Sequence, residues 1–380
     1  MSVPRALVVA PHCTDPGSGW FSPGRLAKLT QVMAILERSG YVTAVLNTCP
    51  VRVREAFKAE VQLSRRPRAL PRLAAFLVAP LGNLVPPCPQ LIWVYNSRVP
   101  ETIVVWRLRR LYPRALLVVE LEDLPAARKS NASWRGWLDW LSTGWLVRHA
   151  SLITCVSEAA GWALQRHLAI SADRMRILLP PLLDDDFVDA AEQRGMPPFS
   201  RRLIRVFYAG GYDPEKGVDD LLWAFAALPA SRFRLHLVGP ATQGIRQRAL
   251  GMPHVYVHGC IPQKWLNRCY QLADVVVNPH RSILNGSHVF PFKAIEQAAC
   301  GALPLMSTHL GADSLGLPPP CLFRSREELH AALAQAPEIW NRHHEALAAR
   351  AAKLRQSHGV AAFAETFAAW LQSVQNPNHR

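Results

Sequence analysis

Long apolar runs are missing from this chain: no segment reaches about 18 uninterrupted apolar residues, so a transmembrane helix is not expected. The apolar stretch within MSVPRALVVAPHCTDPG is too short for the core of a secretory signal and reads as a first buried strand. Paired cysteines are missing as well. The eight cysteines are scattered, with no C-x-x-C and no His/Cys group at zinc spacing. That pattern argues against a disulfide framework or a metal site and for reduced thiols in a cytoplasmic protein. No G-x-G-x-x-G follows a strand, so dinucleotide binding by the usual fingerprint has no support. Short-period repeats, low-complexity tracts and recognised nucleic-acid motifs are also absent, and no nucleic-acid partner is expected.

Acidic residues are scarce. Against 43 Lys and Arg there are 28 Asp and Glu, for a formal net charge of +15. Such an excess attracts something acidic, and its distribution favours anionic lipid. Between positions 52 and 72, Arg52, Arg54, Lys58, Arg65, Arg66, Arg68 and Arg72 face only Glu55 and Glu60, and the tract runs into the apolar LAAFLVAPLGNLVPP. Basic side chains beside an apolar patch suit an anionic bilayer surface. A second stretch, 133–148, repeats Trp134, Trp137, Trp140 and Trp145 among arginines. Tryptophan favours the water–lipid interface, yet Trp137, Leu138, Leu141 and Trp145 also keep core-helix spacing, so both readings stand. Peripheral attachment to the inner face of a membrane is the expectation.

At 380 residues with 49% apolar content the chain is longer than one hydrophobic core comfortably grows, so two domains are expected. Strand-like runs alternate with helical patterns, which is the mark of a parallel α/β architecture. In the first half ALVVA, YVTAVLN, LIWVYN, ALLVVEL and LITCVS read as strands, with helices near 25–39, 101–111, 136–149 and 157–168. A Pro- and Asp-rich passage, 180–200, breaks the pattern and reads as a linker. LIRVFYAG, FRLHLVG, VYVHG, DVVVNP and ALPLMS then supply the strands of a second Rossmann-like domain. The expected division is 1–190, 200–358 and a C-terminal helix within 359–380.

Ligands of open α/β sheets bind beyond the carboxyl ends of the strands, so the strand-end loops hold the candidates. The first carries Gly17 and Gly19. The end of ALLVVEL gives Glu120, followed by Glu122 and Asp123, where a carboxylate could stabilise an oxocarbenium-like transition state or accept a hydroxyl proton. FYAGGYDPEKGVDD offers Gly210 and Gly211 for close backbone approach and Lys216 to neutralise an anion. Gly239 and Gly259 end later strands, with Ile261 just beyond. The richest stretch is 285–308, NGSHVFPFKAIEQAACGALPLMST. It combines a turn at Gly286 and Ser287, a proline suited to a helix start, unpaired N–H groups that would face an anion, and Lys293 and Glu296 three apart on one helix face. A lysine and a carboxylate there can hold a phosphate and a ribose diol; an ordinary capped helix with a surface ion pair is the alternative.

The run FPFKAIEQAACGALPLMS resembles the C-domain signature of retaining family-four glycosyltransferases of the GT-B fold. The resemblance implies two Rossmann-like domains with parallel sheets facing across a cleft and a last helix crossing back to the first domain. Glu296 matches the second glutamate of the family's E-x7-E motif, which holds the nucleotide ribose; the first falls on His288, so this chain reads H-x7-E. Lys216 matches the family's K-G, while Gly211 stands where many members have arginine. Glu122 and Asp123 occupy the place of a His-Asp pair beside the reacting sugar, and with His288 they are the catalytic candidates. Gly17, Gly19, Gly210, Gly211, Lys216, Gly239, Gly259, Ile261, Gly286, Ser287, Phe290, Lys293 and Glu296 are the donor-binding candidates.

The activity implied is transfer of a sugar from a nucleoside-diphosphate donor to a hydroxyl acceptor on a lipid-linked or cell-surface polysaccharide intermediate. The nucleotide sugar is the co-substrate, and no cofactor or metal is expected. Three other readings stay open: a nucleotide-sugar epimerase of the same fold, a nucleotide-binding protein without transfer activity, and a DNA-glucosylating enzyme.

Overall fold

The computed structural model describes residues 3–15, 23–50, 56–63, 69–84, 87–96, 98–121, 134–155, 158–168, 170, 175–177, 183–212, 214–240, 242–281, 292–308 and 315–375. Two compact units divide the chain: Met1–Pro180 with Val360–Arg380, and Pro181–Gly359.

The first unit runs β1 (Arg5–Ala10), α1 (Pro23–Arg38), β2 (Val42–Asn47), β3 (Glu60–Gln62), α2 (Ala69–Val78), α3 (Leu81–Leu84), β4 (Leu91–Tyr95), α4 (Val99–Leu111), β5 (Leu116–Leu121), α5 (Trp134–His149), β6 (Leu152–Cys155), α6 (Glu158–Leu168) and β7 (Met175–Ile177). Its sheet has the order β3-β2-β1-β4-β5-β6-β7, every pair parallel. Strands such as LIWVY are buried along their whole length, because helices cover both faces of a parallel sheet. The strand order reverses between β1 and β4, which opens a crevice at their carboxyl ends.

Glu120, on β5, turns into the core rather than toward a strand-end loop. It is fully buried: Trp93 Nε1 donates to its Oε2 at 2.9 Å, and Lys28 Nζ from α1 lies 3.2 Å from its Oε1. Alternation along β5 turns this side chain into the core, where a carboxylate needs a cation and a donor. On α5 the core face is Thr143, Leu146 and Val147, and Trp145 stacks on His149 at 4.2 Å. Trp137 and Leu141, which share core-helix spacing in the sequence, are exposed at 63% and 52%, and Trp134 at 69%.

The second unit runs α7 (Asp185–Glu192), β8 (Ile204–Ala209), α8 (Val218–Ala226), β9 (Phe233–Val238), α9 (Gln243–Leu250), β10 (Val255–Gly259), α10 (Gln263–Leu272), β11 (Val275–Asn278), α11 (Phe292–Ala299), β12 (Leu303–Ser307), β13 (Leu322–Phe323), α12 (Arg326–Ala334) and α13 (Ala336–His358). Its parallel sheet has the order β10-β9-β8-β11-β12-β13, with the same reversal, here between β8 and β11. The passage 180–200 is not simply a linker. Asp184 Oδ1 accepts from Phe187 N at 2.7 Å, capping α7 ahead of the acidic first turn of Asp185 and Asp186, and such a start favours a helix. Phe187 packs edge-on against Tyr270, ring centroids 5.9 Å apart. Residues 183–190 therefore fold with the second unit, whereas the sequence division gives them to the first.

The last helix, α14 (Val360–Gln375), belongs to the first unit. Phe367 lies against Trp93, ring centroids 5.1 Å apart, and Ser39 Oγ donates to Ala364 O at 3.5 Å. No helix among the described residues is long and apolar enough to cross a membrane.

Candidate donor site in the second unit

Two glycines let the strand ends of this unit close around lysines. Gly210, directly after β8, has φ 151°, and a Cβ there would lie 1.6 Å from Lys293 Nζ. Any side chain would displace the lysine from the backbone. Gly217 caps α8 in the left-handed region, φ 65°, and its Cβ would lie 1.8 Å from Pro279 O. Glycine alone permits both the angle and the approach. Neighbouring strand ends are stitched by Gly210 N donating to Val238 O and Gly239 N donating to Gly259 O, each at 2.8 Å.

Lys293, in the first turn of α11, reaches over the Tyr208 ring at 4.7 Å from its centroid and donates to Tyr208 OH at 3.4 Å. The Tyr208 hydroxyl in turn donates to Gly211 O at 2.5 Å. Burial, reinforced by the charge of Lys216, pulls the Lys293 pKa down to about 7. Lys216 Nζ lies 3.2 Å from His280 Nε2. Burial and the two lysines hold His280 at about 4, so its ring is neutral near pH 7.

Glu296, nearly one turn on from Lys293, receives Tyr270 OH at 3.3 Å and Gln263 Nε2 at 3.4 Å. Burial, with a smaller contribution from Asp184, lifts its pKa to about 7. The surface ion pair that their spacing allows is not formed: both side chains are half-buried and each finds other partners. Two lysine amines and a carboxyl group thus gather in this unit, Lys293 against Gly210 after β8, Lys216 against His280 after β11, and Glu296 further along α11. Such a set can hold a phosphate and a vicinal diol. Ile261 lines a cavity of about 300 Å³ with Phe207, His236, Trp265 and Cys269, beside the β10–α10 turn.

Of the sequence candidates, Gly210, Gly211, Lys216, Gly239, Gly259, Ile261, Lys293 and Glu296 all belong to this unit. Gly17, Gly19, Glu122, Asp123, Gly286, Ser287, His288 and Phe290 lie outside the described residues. Sequence reasoning missed Tyr208, Gln263, Tyr270 and His280. Tyr208 and His280 carry a usable signal, since each is a polar residue at the end of a buried strand, in VFYAG and VVVNPH. Gln263 and Tyr270 come from α10, whose approach to Glu296 only the tertiary fold sets.

Residues 204–337 match the family model described as glycosyl transferases group 1. Among curated proteins none matches this chain. Solved structures match over nearly its whole length. Sucrose-phosphate synthase from Thermosynechococcus elongatus superposes with a TM-score of 0.73 at 18% identity, covering 97% of this chain and 99% of its own. HepE from Anabaena, in complex with UDP and glucose, gives 0.66 at 17% identity over 97% and 100%. The α,α-trehalose 6-phosphate synthase of Burkholderia multivorans gives 0.67 at 15% identity over 99% and 100%. The chain has the GT-B fold of these structures, and its residues 204–337 are similar to glycosyl transferases group 1.

Proposed function

We propose that this protein transfers a sugar from a nucleoside-diphosphate donor to a hydroxyl group on a lipid-linked or polysaccharide acceptor. The observation that carries the reading is the grouping of Lys293 beside Gly210 at the end of β8, Lys216 beside His280 after β11, and Glu296 nearly one turn along α11 from Lys293. In this reading the carboxylate of Glu296 accepts both ribose hydroxyls. The ammonium groups of Lys216 and Lys293 face the diphosphate. As the bond from the anomeric carbon to the diphosphate oxygen breaks, negative charge grows on the leaving group. Two cations held in place before the reaction stabilise that charge without reorganising. Tyr208 supports Lys293 through its ring face and hydroxyl. Glu122 and Asp123, by family resemblance, serve the acceptor hydroxyl and the reacting sugar, with retention at the anomeric carbon.

A lipid-linked acceptor is supported by the first unit, where Trp134, Trp137 and Leu141 are exposed along one face of α5 and Leu77 and Val78 at the end of α2, in a chain of net charge +15. The decisive experiment is calorimetry and thermal shift with UDP, GDP, CDP, ADP and their common sugars. One nucleotide should bind saturably, and Glu296→Ala and Lys216→Ala should each weaken that binding at least about tenfold, the loss of one charge-assisted contact, while leaving the circular dichroism spectrum intact. Folded wild-type protein that binds none of them would end this reading.

A further inference from the structure

We infer that His280 is a positioning residue for Lys216, holding its ammonium toward the diphosphate of the donor. The inference rests on the donor reading above and deepens it. Three consecutive residues after β11 grip the loop between β8 and α8. The Pro279 carbonyl fills the space where a Gly217 side chain would be. His280 Nε2 lies 3.2 Å from Lys216 Nζ. Arg281 Nε donates to Asp220 Oδ2 at 2.5 Å, and its guanidinium makes a second contact with Oδ1, in the first turn of α8. One short segment thus fixes the backbone, the cation and the following helix.

The ring's tautomer follows from its other nitrogen. Nδ1 lies 3.1 Å from Arg281 O, and a carbonyl only accepts, so Nδ1 carries the hydrogen. Nε2 therefore presents a lone pair to the ammonium. Lysine is a point charge on a flexible stem, and one acceptor behind it sets where its remaining donors point. A carboxylate in this place would also orient the amine, but it would cancel the charge that a phosphate needs. A neutral imidazole orients it and leaves the charge available. The low pKa of His280 keeps it neutral through the physiological range.

The test is a double-mutant cycle of His280 and Lys216, read by calorimetry with whichever of UDP, GDP, CDP or ADP the wild type binds and with the parent nucleoside. His280→Ala should weaken the nucleoside diphosphate about tenfold, the effect of misdirecting one charge-assisted contact. It should leave nucleoside binding unchanged. His280→Gln, whose amide oxygen can accept from Lys216, should recover most of the loss. In a Lys216→Met background His280→Ala should cost nothing further. Should His280→Ala fail to fold, His280→Leu takes its place, filling the ring's volume without accepting a hydrogen bond. Unchanged diphosphate affinity, an equal loss for the nucleoside, or an undiminished loss beside Lys216→Met would overturn the role of His280 alone. A wild type that binds no nucleotide would overturn the donor reading and this role together.

Discussion

Lys293 and Glu296 both titrate at about 7, the amine pulled down and the carboxyl pushed up by the same burial. Binding a nucleoside diphosphate should therefore move protons in opposite directions on either side of neutrality. At pH 8 the free amine is largely neutral and the free carboxylate already ionised, so an arriving diphosphate, which favours the ammonium, causes net proton uptake. At pH 6 the amine is already charged and the carboxyl largely protonated; ribose hydroxyls favour the carboxylate, and binding releases a proton. Calorimetry in buffers of different ionisation enthalpy reads both signs. Lys293→Met should remove the uptake and Glu296→Gln the release; the same sign at both pH values would refute the assignment. Glu120 makes a different case. With Lys28 and Trp93 it forms a buried pair, so Lys28→Met should destabilise by about 3–5 kcal/mol by leaving a lone buried charge. Adding Glu120→Gln, which still accepts from Trp93, should restore much of that in urea unfolding. The sequence could mark Lys216, Lys293 and Glu296 as candidates because helix starts and strand ends are written in local spacing. It could not show that Glu120 turns inward, or that His280 stands behind Lys216, because those facts depend on which elements become neighbours.

At the scale of elements, the turn into α8 is a close backbone join in the second unit. Gly217→Ala would have to move the Pro279 carbonyl and hold a left-handed angle, at a cost of about 1–3 kcal/mol. Nucleotide affinity should fall with stability, since the same turn presents Lys216; an alanine variant with unchanged denaturant midpoint would show that the turn relaxes freely. Helix α5 leads to a second outcome. Replacing Trp134, Trp137 and Leu141 by serine should reduce binding to anionic vesicles at least about tenfold, because interfacial aromatic and apolar area is lost. High salt should release the wild type by screening its basic charge. Equal binding to neutral vesicles, or no change on substitution, would exclude this face. Apolar runs such as ALVVA, LIWVY and VVVN announced their strands because parallel strands are buried on both sides. Strands β3, β7 and β13, of three, three and two residues, are too short to show a period. Helix α7 was hidden by flanking prolines that suggested a linker, although its Asp run is a capping signal.

The whole molecule is discontinuous in sequence: the first unit is completed by a helix that arrives after the second has been built. Phe363, Phe367 and Leu371 of α14 are each at most 4% exposed, and full burial of such side chains stabilises by about 1.5–3 kcal/mol apiece. Removing α14 would forfeit most of the roughly 5–15 kcal/mol that holds a domain together. The second unit has its own core, its own six-stranded sheet and all the described donor-site candidates. Two consequences follow for the chain cut at these joins. Deleting residues 360–380 should abolish the unfolding transition of the first unit in calorimetry while leaving that of the second in place. Residues 181–359 alone should fold and bind the same nucleoside diphosphate as the full chain, because Lys216, His280, Lys293 and Glu296 all lie within that span. Loss of nucleotide binding in a folded 181–359 fragment would mean that residues of the first unit contribute to donor affinity. The proposed transfer would then depend on both units even to hold its donor.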